Sequence, residues 1–335
     1  MRGVIGLDVG GANTKGVWRD GVQRRVVSRR FEVWRDRDAL ESVLRAVVAE
    51  AAQGRVEAVA LTTTAELSDA FRTKREGVGF VLDAAEAAFR GRRLLALTTD
   101  GELVSFAEAR SRPVAVAAAN WVASALAVAE LHADALMIDV GSTTVDLIPI
   151  AAGRVAGVGR TDLDRLLAGE LVYTGGLRTN LAAIAPSVPV RDRWCPVASE
   201  LFAISADVHL VLGHLTPDGY TCATPDGRPA TIDCARERIA RLVCADVEQL
   251  AAEEIDAIAA HLYTEQLRQI ETAARRVSER VGGAAPVVPL GGGAFLARAA
   301  AQRLERAVVE LPWSAAERDA APAAALAALL AERGA

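Results

Sequence analysis

Val4-Ile5-Gly6-Leu7-Asp8-Val9-Gly10-Gly11-Ala12-Asn13-Thr14-Lys15 opens the chain, and Ala135-Leu136-Met137-Ile138-Asp139-Val140-Gly141-Ser142-Thr143-Thr144-Val145-Asp146 repeats its pattern near the middle. Each stretch starts as an apolar run of strand length and ends in Asp-Val-Gly. Each then returns in a second short run, at residues 16–19 and 147–150. Continuous apolar runs bounded by turn residues read as buried strands. The repeat therefore predicts a duplicated β-hairpin unit, one copy in each of two domains.

Working outward from the first copy, residues 22–33 continue a meander, and residues 39–52 carry Leu40, Val43, Leu44, Val47 and Val48 on one helical face. A buried strand is expected at 56–61, with Thr62-Thr63-Thr64 at its end. A helix over 77–89, strands at 94–97 and 114–117 and an apolar helix at 120–131 follow. After the second copy, a third strand is expected at 154–159, a loop at 173–180 and a helix at 200–212. Thr216-Pro217-Asp218-Gly219 and Thr224-Pro225-Asp226-Gly227 are turn sequences and mark an excursion. A long helix should cover 248–281. A strand at 287–290 should run into Gly291-Gly292-Gly293 and a helix from Ala294, and the last helix spans about 321–332.

The 335 residues exceed one ordinary domain. Half are apolar (51%) and 24% charged, which excludes a disordered chain, and the net charge of −5 argues against a general nucleic-acid binder. No apolar run reaches the roughly 20 residues needed to cross a bilayer. The N-terminal residues carry Asp8 and glycines where a signal peptide keeps its apolar stretch. A cytoplasmic protein is expected. Cys195, Cys222, Cys234 and Cys244 suit neither a zinc site nor a disulfide framework and read as reduced thiols. The basic residues are nearly all arginine. Only Lys15 and Lys74 are lysines, and only Asn13, Asn120 and Asn180 are asparagines. A compact ammonium and a planar guanidinium differ most in tight sites, so these few residues draw attention as site candidates.

A hairpin bend rich in glycine suits phosphate, because the backbone can approach closely and successive N–H groups form an anion nest. Gly10, Gly11, Asn13 and Thr14 in the first loop, and Gly141, Ser142, Thr143 and Thr144 in the second, are candidate phosphate ligands. Asp8 and Asp139 would repel phosphate directly. They are better placed to hold Mg²⁺, directly or through water. Lys15 adds a point charge. Gly291, Gly292 and Gly293, at a strand-to-helix junction, suit a nucleotide or a phosphate at the following helix N-terminus.

Asp8-Val9-Gly10, Asp139-Val140-Gly141 and Gly291-Gly292-Gly293, in that order, resemble the acetate and sugar kinase, Hsp70 and actin superfamily. The resemblance covers nearly the whole chain. It implies an α/β fold of two ribonuclease-H-like domains around a central cleft. The first would span residues 1–118, with a C-terminal helix at 319–335 packing back onto it; the second would span 119–318, with a 170–235 insertion. Other segments resemble a narrower group. Leu61-Thr62-Thr63-Thr64-Ala65-Glu66-Leu67-Ser68-Asp69-Ala70-Phe71, Thr73-Lys74-Arg75-Glu76-Gly77-Val78, Ala119-Asn120-Trp121, Tyr173-Thr174-Gly175-Gly176 and Ala206-Asp207-Val208 are similar to the hydantoinase/oxoprolinase-related proteins of tetrahydromethanopterin-linked C1 metabolism. That branch includes a condensing activity of methanofuran and methylofuran biosynthesis. The resemblance implies joining an aminomethylfuran methyl diphosphate to a tyramine- or tyrosine-derived phenol, with release of diphosphate.

For that chemistry Lys15 is expected to neutralise the leaving diphosphate, Glu66 to act as base and Lys74 to be an electrostatic partner of the phenol, whose ordinary pKa is about 10. Two further readings stay open at this level: an ATP-dependent small-molecule kinase, and a non-catalytic nucleotide-binding protein. The expected partners are small molecules, with no nucleic acid and no membrane, and a homo-oligomer is compatible with the chain. The histidines show no ligand spacing. Asp207 suits either substrate binding or helix capping.

Overall fold

The computed structural model describes residues 2–282 and 284–332; residues 333–335 of the expected C-terminal segment lie outside them. In chain order the elements are β1 (Arg2–Val9), β2 (Asn13–Arg19), β3 (Arg24–Arg30), α1 (Leu40–Ala51), β4 (Arg55–Thr63), α2 (Lys74–Ala88), β5 (Arg93–Leu97) and β6 (Leu103–Ser105). There follow α3 (Phe106–Ser111), α4 (Pro113–Val116), α5 (Asn120–Leu131), β7 (Ala135–Val140), β8 (Val145–Ala151), β9 (Arg154–Val155), α6 (Asp162–Ala168) and β10 (Leu171–Val172). The remainder is β11 (Ser187–Val190), β12 (Arg193–Pro196), α7 (Ser205–Val211), α8 (Ile232–Ala240), α9 (Ala252–Ser278), β13 (Val287–Leu290), α10 (Ala294–Arg303), α11 (Ala315–Asp319) and α12 (Ala321–Glu332). The chain forms two compact units: Met1–Met137 with Ile148–Ala168 and Glu310–Ala335, and Ile138–Leu147 with Gly169–Val309. Among the described residues no helix is long and apolar enough to cross a membrane.

In the first unit the sheet order is β3-β2-β1-β4-β5-β6. β1 pairs antiparallel with β2 and parallel with β4, β4 pairs parallel with β5, and β5 pairs antiparallel with β6. An antiparallel meander feeding a parallel crossover is the ribonuclease-H-like arrangement expected. β1 is apolar at nearly every position because both faces are covered. On one face lie α1 and α2, whose Leu44, Val47, Val81 and Leu82 pack with Leu7 and Leu61 in one core. On the other lies α12, which supplies Ala323, Ala324 and Ala327 against Val17. Gly6 makes this close crossing possible. A Cβ there would lie 2.1 Å from the Ala323 carbonyl oxygen and 2.6 Å from the Ala327 nitrogen.

The second sheet has the order β10-β8-β7-β13, with β9 paired to β8. In the second unit α7 and α9 bury a core that includes Val208, Ile255, Ile258 and Leu262. Two expectations fail here. Residues 114–117 form no strand: Pro113 at the start of α4 favours a helical turn, and only Ala117 makes an isolated parallel bridge, to Thr63. The third strand expected at 154–159 is limited to Arg154–Val155. The 170–235 excursion also contains the hairpin β11–β12 and the start of α8. Thr231, whose hydroxyl accepts from the Cys234 N–H, caps that helix.

Candidate active site

In the first unit, β1 ends at Asp8, which pairs in register with Lys15 of β2 and Thr62 of β4; Val9 pairs with Thr14 and Thr63. Side chains alternate across a strand, so Asp8, Lys15 and Thr62 share one face and Thr14 and Thr63 the other. The bend is closed by a Gly10 N–H donating to the Asn13 carbonyl at 2.9 Å. Gly10 tolerates no side chain, since a Cβ would lie 2.8 Å from that same oxygen. Gly11 lies beside Trp34, with only its Cζ3 within 3.8 Å of where a Cβ would sit. Lys15 donates to the Asp319 carbonyl oxygen at 2.6 Å, with the Asp319 carboxylate at 3.2 Å. The end of α11 thus holds this ammonium.

Beyond β4 the chain makes a tight turn, Ala65–Leu67, that buries Glu66. Thr63 fixes the turn. Its hydroxyl accepts from the Ala65 N–H at 3.0 Å and lies 3.1 Å from the Val9 carbonyl and 3.3 Å from Glu66 Oε2. The other carboxyl oxygen, Oε1, has no hydrogen-bond partner, and the buried hydroxyls of Thr14, Thr62 and Ser68 are in the same condition. Buried polar atoms are almost always paired, so the unpaired Glu66 oxygen and these hydroxyls, Thr62 on one face of the sheet and Thr14 on the other, mark places where a ligand or water completes the structure. Burial pushes the Glu66 carboxyl up to about 7, against the opposing pull of its own backbone N–H and of Lys74. Lys74 begins α2, after a Thr73 cap that accepts from the Glu76 N–H. Its ammonium lies 2.7 Å from Asp162 Oδ2.

The second unit builds its loop in the same way. Gly141 N–H donates to the Thr144 carbonyl at 2.9 Å, the counterpart of the Gly10–Asn13 bond. Ser142 and Thr143 form the bend, their hydroxyls 3.4 Å apart. Two further glycine turns close around it. Gly176 N–H donates to Gly141 O at 2.9 Å, and Leu177 and Arg178 N–H both donate to Ser142 O. A Cβ on Gly175 would lie 2.5 Å from the Thr143 nitrogen, and one on Gly176 would lie 3.4 Å from the Gly293 Cα. From the other side, Gly293 N–H donates to Val140 O at 2.9 Å. Gly291 has φ +79°, and its missing Cβ would sit 2.5 Å from Asp139 Oδ1. Exposed Gly292 lies between these two. Gln266 of α9 locks the arrangement by donating to Thr174 Oγ1 and Gly175 O, both at 2.9 Å.

The predicted residues thus fall into two groups. Asp8, Gly10, Gly11, Asn13, Thr14, Lys15, Glu66 and Lys74 lie in the first unit, and Asp139, Gly141, Ser142, Thr143, Thr144, Gly291, Gly292 and Gly293 in the second. Sequence reasoning missed Asp162 and Gln266, and gave no site role to Thr174, Gly175 or Gly176 although it singled out that stretch. Asp207 is a structural residue. Its Oδ2 accepts from the Ile204 N–H, and its Oδ1 accepts from Arg238 at 2.7 and 2.9 Å and from Tyr220 at 3.0 Å. His209 is buried among the rings of His214, Tyr263 and Phe295, and burial lowers it to about 3, so it stays neutral.

Among the described residues no three His, Cys, Asp or Glu side chains gather as a metal cage. Asp8 and Asp139 each offer one carboxylate beside a phosphate-type turn. A carboxylate at such a turn is of the kind Mg²⁺ takes, one or two at a time, together with waters and substrate phosphates.

Comparison with known proteins extends these observations. The nucleotide-free structure of an ATP-dependent acetone carboxylase matches with a TM-score of 0.57 at 11% identity, over 96% of this chain and 70% of that one. A ROK family glucokinase from Streptomyces griseus matches with a TM-score of 0.52 at 15% identity, over 98% and 99%. The fold is the one seen in these two structures. The chain belongs to the hydantoinase/oxoprolinase family, which matches residues 57–333. One curated relative is the (4-{4-[2-(gamma-L-glutamylamino)ethyl]phenoxymethyl}furan-2-yl)methanamine synthase of Methanocaldococcus jannaschii, 36% identical over 278 residues, 83% of this chain and 82% of that protein. The protein of the same name from Methanococcus vannielii is 40% identical over 147 residues, 44% of this chain and 66% of that one.

Proposed function

We propose that this protein is a transferase that condenses an aminomethylfuran methyl diphosphate with the phenol of a tyramine- or tyrosine-derived acceptor, forming an aryl ether and releasing diphosphate. The relatives are named for a product with that phenoxymethyl-furan linkage. The reaction balances simply. The phenol oxygen bonds to the furan methylene, the bond from that methylene to the diphosphate oxygen breaks, and the phenolic proton passes to a base. The furan oxygen supports positive charge at the departing methylene, so the transition state is loose.

One observation carries the mechanism: Glu66 is a buried carboxyl with an unpartnered oxygen and a pKa of about 7. A base poised near neutrality suits proton transfer from a phenol. Lys74, close enough to act on Glu66, would stabilise the phenolate as it forms. The glycine turn around Gly10 in the first unit, and that around Gly141 with Ser142, Thr143 and the turn at Gly291 in the second, are each candidates to take diphosphate oxygens. Lys15, an ammonium with three N–H donors held at Asp319, would add neutralising charge for the leaving group. Asp8 and Asp139 are each candidates to hold Mg²⁺, which would supply neutralising charge to the diphosphate. ATP has no part in the balance.

The test is direct. Purified protein is mixed with Mg²⁺, an aminomethylfuran methyl diphosphate and tyramine, glutamyltyramine or tyrosine. Ether and diphosphate should form one for one without ATP. Acceptor-dependent ADP formation from ATP, with no ether, would replace this reading by a kinase.

A further inference from the structure

Asp162 opens α6, and the chain around it is built to hold it still. Arg165, one turn on, is buried with its guanidinium 4.6 Å from the Trp121 ring. Gly159 packs so tightly on Arg165 that a Cβ would lie 2.6 Å from its Cγ. From this anchored turn Asp162 Oδ2 meets Lys74 Nζ at 2.7 Å, while Oδ1 lies 3.9 Å from Arg165 Nη1. Lys74 and Asp162 are mostly buried, with side chains 28% and 20% exposed, so water screens the pair only in part.

Both charges act on Glu66, Lys74 favouring its ionised form and Asp162 opposing it. Lys74 and Asp162 are the charged side chains that weigh most on it. On α2, Glu76 accepts from the Arg72 N–H and faces Arg37 at 3.8 Å, and Arg75 is exposed. On β1, Asp8 lies on the face opposite Val9 and Thr63. From β4 the Thr63 hydroxyl is a neutral neighbour.

We propose that Asp162 is a positioning residue: it engages the Lys74 ammonium in an ion pair at 2.7 Å and so keeps that cation from acting in full on Glu66. This rests on the reading of Glu66 as the proton acceptor. With Asp162 neutralised, Lys74 loses the partner at 2.7 Å and its pull on Glu66 is no longer opposed.

The experiment follows the Glu66 carboxyl directly, by carbon-detected NMR titration of protein labelled at the glutamate carboxyl carbons, with Glu66→Gln identifying the resonance. In the wild type the midpoint should lie at about 7. Asp162→Asn should lower it by at least about half a unit, roughly a threefold change in the ratio of charged to neutral Glu66. Asp162→Glu should restore it, and Lys74→Met should raise it. In parallel, the acid limb of kcat/KM in Asp162→Asn should move down with the midpoint. A merely structural role would move neither. An unchanged or raised midpoint in Asp162→Asn overturns the proposal, as does a lowered midpoint with an unmoved acid limb. If Glu66→Gln turns over at the wild-type rate, the base reading itself fails and takes the functional half of the proposal with it.

Discussion

Gly77 lies directly against Glu66: a Cβ on Gly77 would come 2.5 Å from the Glu66 Cα, 2.8 Å from its Cβ and 2.9 Å from its carbonyl oxygen. The first turn of α2 is therefore the floor on which the Glu66 turn rests. Two of those contacts are with backbone and the third with Cβ, whose position the backbone fixes, so no rotamer can yield. Gly77→Ala should destabilise the protein by about 1–3 kcal/mol, the usual range for overpacking. It should also lower kcat more than that loss of folded protein explains. Urea denaturation beside steady-state rates checks this. A variant with wild-type stability and rate would show that the turn can move without consequence.

Gly291 presents a similar constraint in the second unit, with a second cause. Its φ of +79° is a left-handed conformation, and a Cβ would lie 2.3 Å from the Val140 carbonyl oxygen. The conformation alone costs an L-residue about 1–2 kcal/mol. Gly291→Ala should lose at least that stability and weaken inhibition by inorganic diphosphate. Denaturation midpoints and diphosphate inhibition constants are the readouts, and a variant that matches wild type in both would remove Gly291 from the site.

How much of this was legible beforehand depends on the range of the interaction that fixes each feature. The two Asp-Val-Gly hairpins are local. Tripeptide, apolar run and return strand sit within sixteen residues, 4–19 and 135–150, and the Gly10–Asn13 and Gly141–Thr144 bonds repeat that local likeness. Helix α1 was equally legible, from the spacing of Leu40, Leu44, Val47 and Val48. Residues 114–117 misled because an apolar run of four suits strand and helix alike, and Pro113 decides for the helical turn. Asp162 was invisible because its partner Lys74 is 88 residues away and nothing in α6 advertises the pairing. Gln266 was hidden for the same reason, inside a long amphipathic helix where a glutamine reads as surface.

Asp207 and Arg238 form an ion pair with both side chains wholly excluded from solvent. Removing one partner strands the other charge in a poorly solvated interior, which typically costs about 3–5 kcal/mol. Asp207→Ala should therefore be strongly destabilising, while activity per folded molecule changes little, since the carboxylate is already occupied by Arg238, Tyr220 and the Ile204 N–H. Denaturation and active-site-normalised rates decide. Normal stability with a raised KM for the phenol would restore the substrate-binding role.

Lys15 distinguishes tether from catalyst. Its bonds to Asp319 hold an ammonium at the end of α11, and an arginine there keeps the charge but spreads it over a planar fork. Lys15→Arg should leave stability within about 1 kcal/mol, in line with a partly exposed ion pair. It should cut kcat/KM for the furan diphosphate at least about tenfold, or about 1.4 kcal/mol of transition-state stabilisation. An unchanged kcat/KM with lowered stability would make Lys15 a tether alone.

Glu66 ties function to stability, and the sign can be worked through. Burial raises its carboxyl from an ordinary 4.5 to about 7. The folded protein therefore holds this proton at pH values where the unfolded chain has released it. The stability this provides is fully present below about 4.5 and is lost as pH rises through about 7. Above 7 the folded state carries a buried carboxylate, a penalty on the order of 3 kcal/mol as an upper bound. Glu66→Gln has no proton to lose, so its stability should vary less across that window, and at pH 8 it should equal or exceed the wild type. Its activity should fall about 100-fold or more, the usual worth of a general base. For the wild type, kcat/KM should decline below pH 7 as Glu66 takes up its proton. Denaturation at a series of pH values, with kcat/KM measured over the same range, tests both halves. If Glu66→Gln is less stable than wild type at pH 8, and kcat/KM in the wild type is flat from pH 6 to 8, then Glu66 is a structural acid and the proton acceptor lies elsewhere.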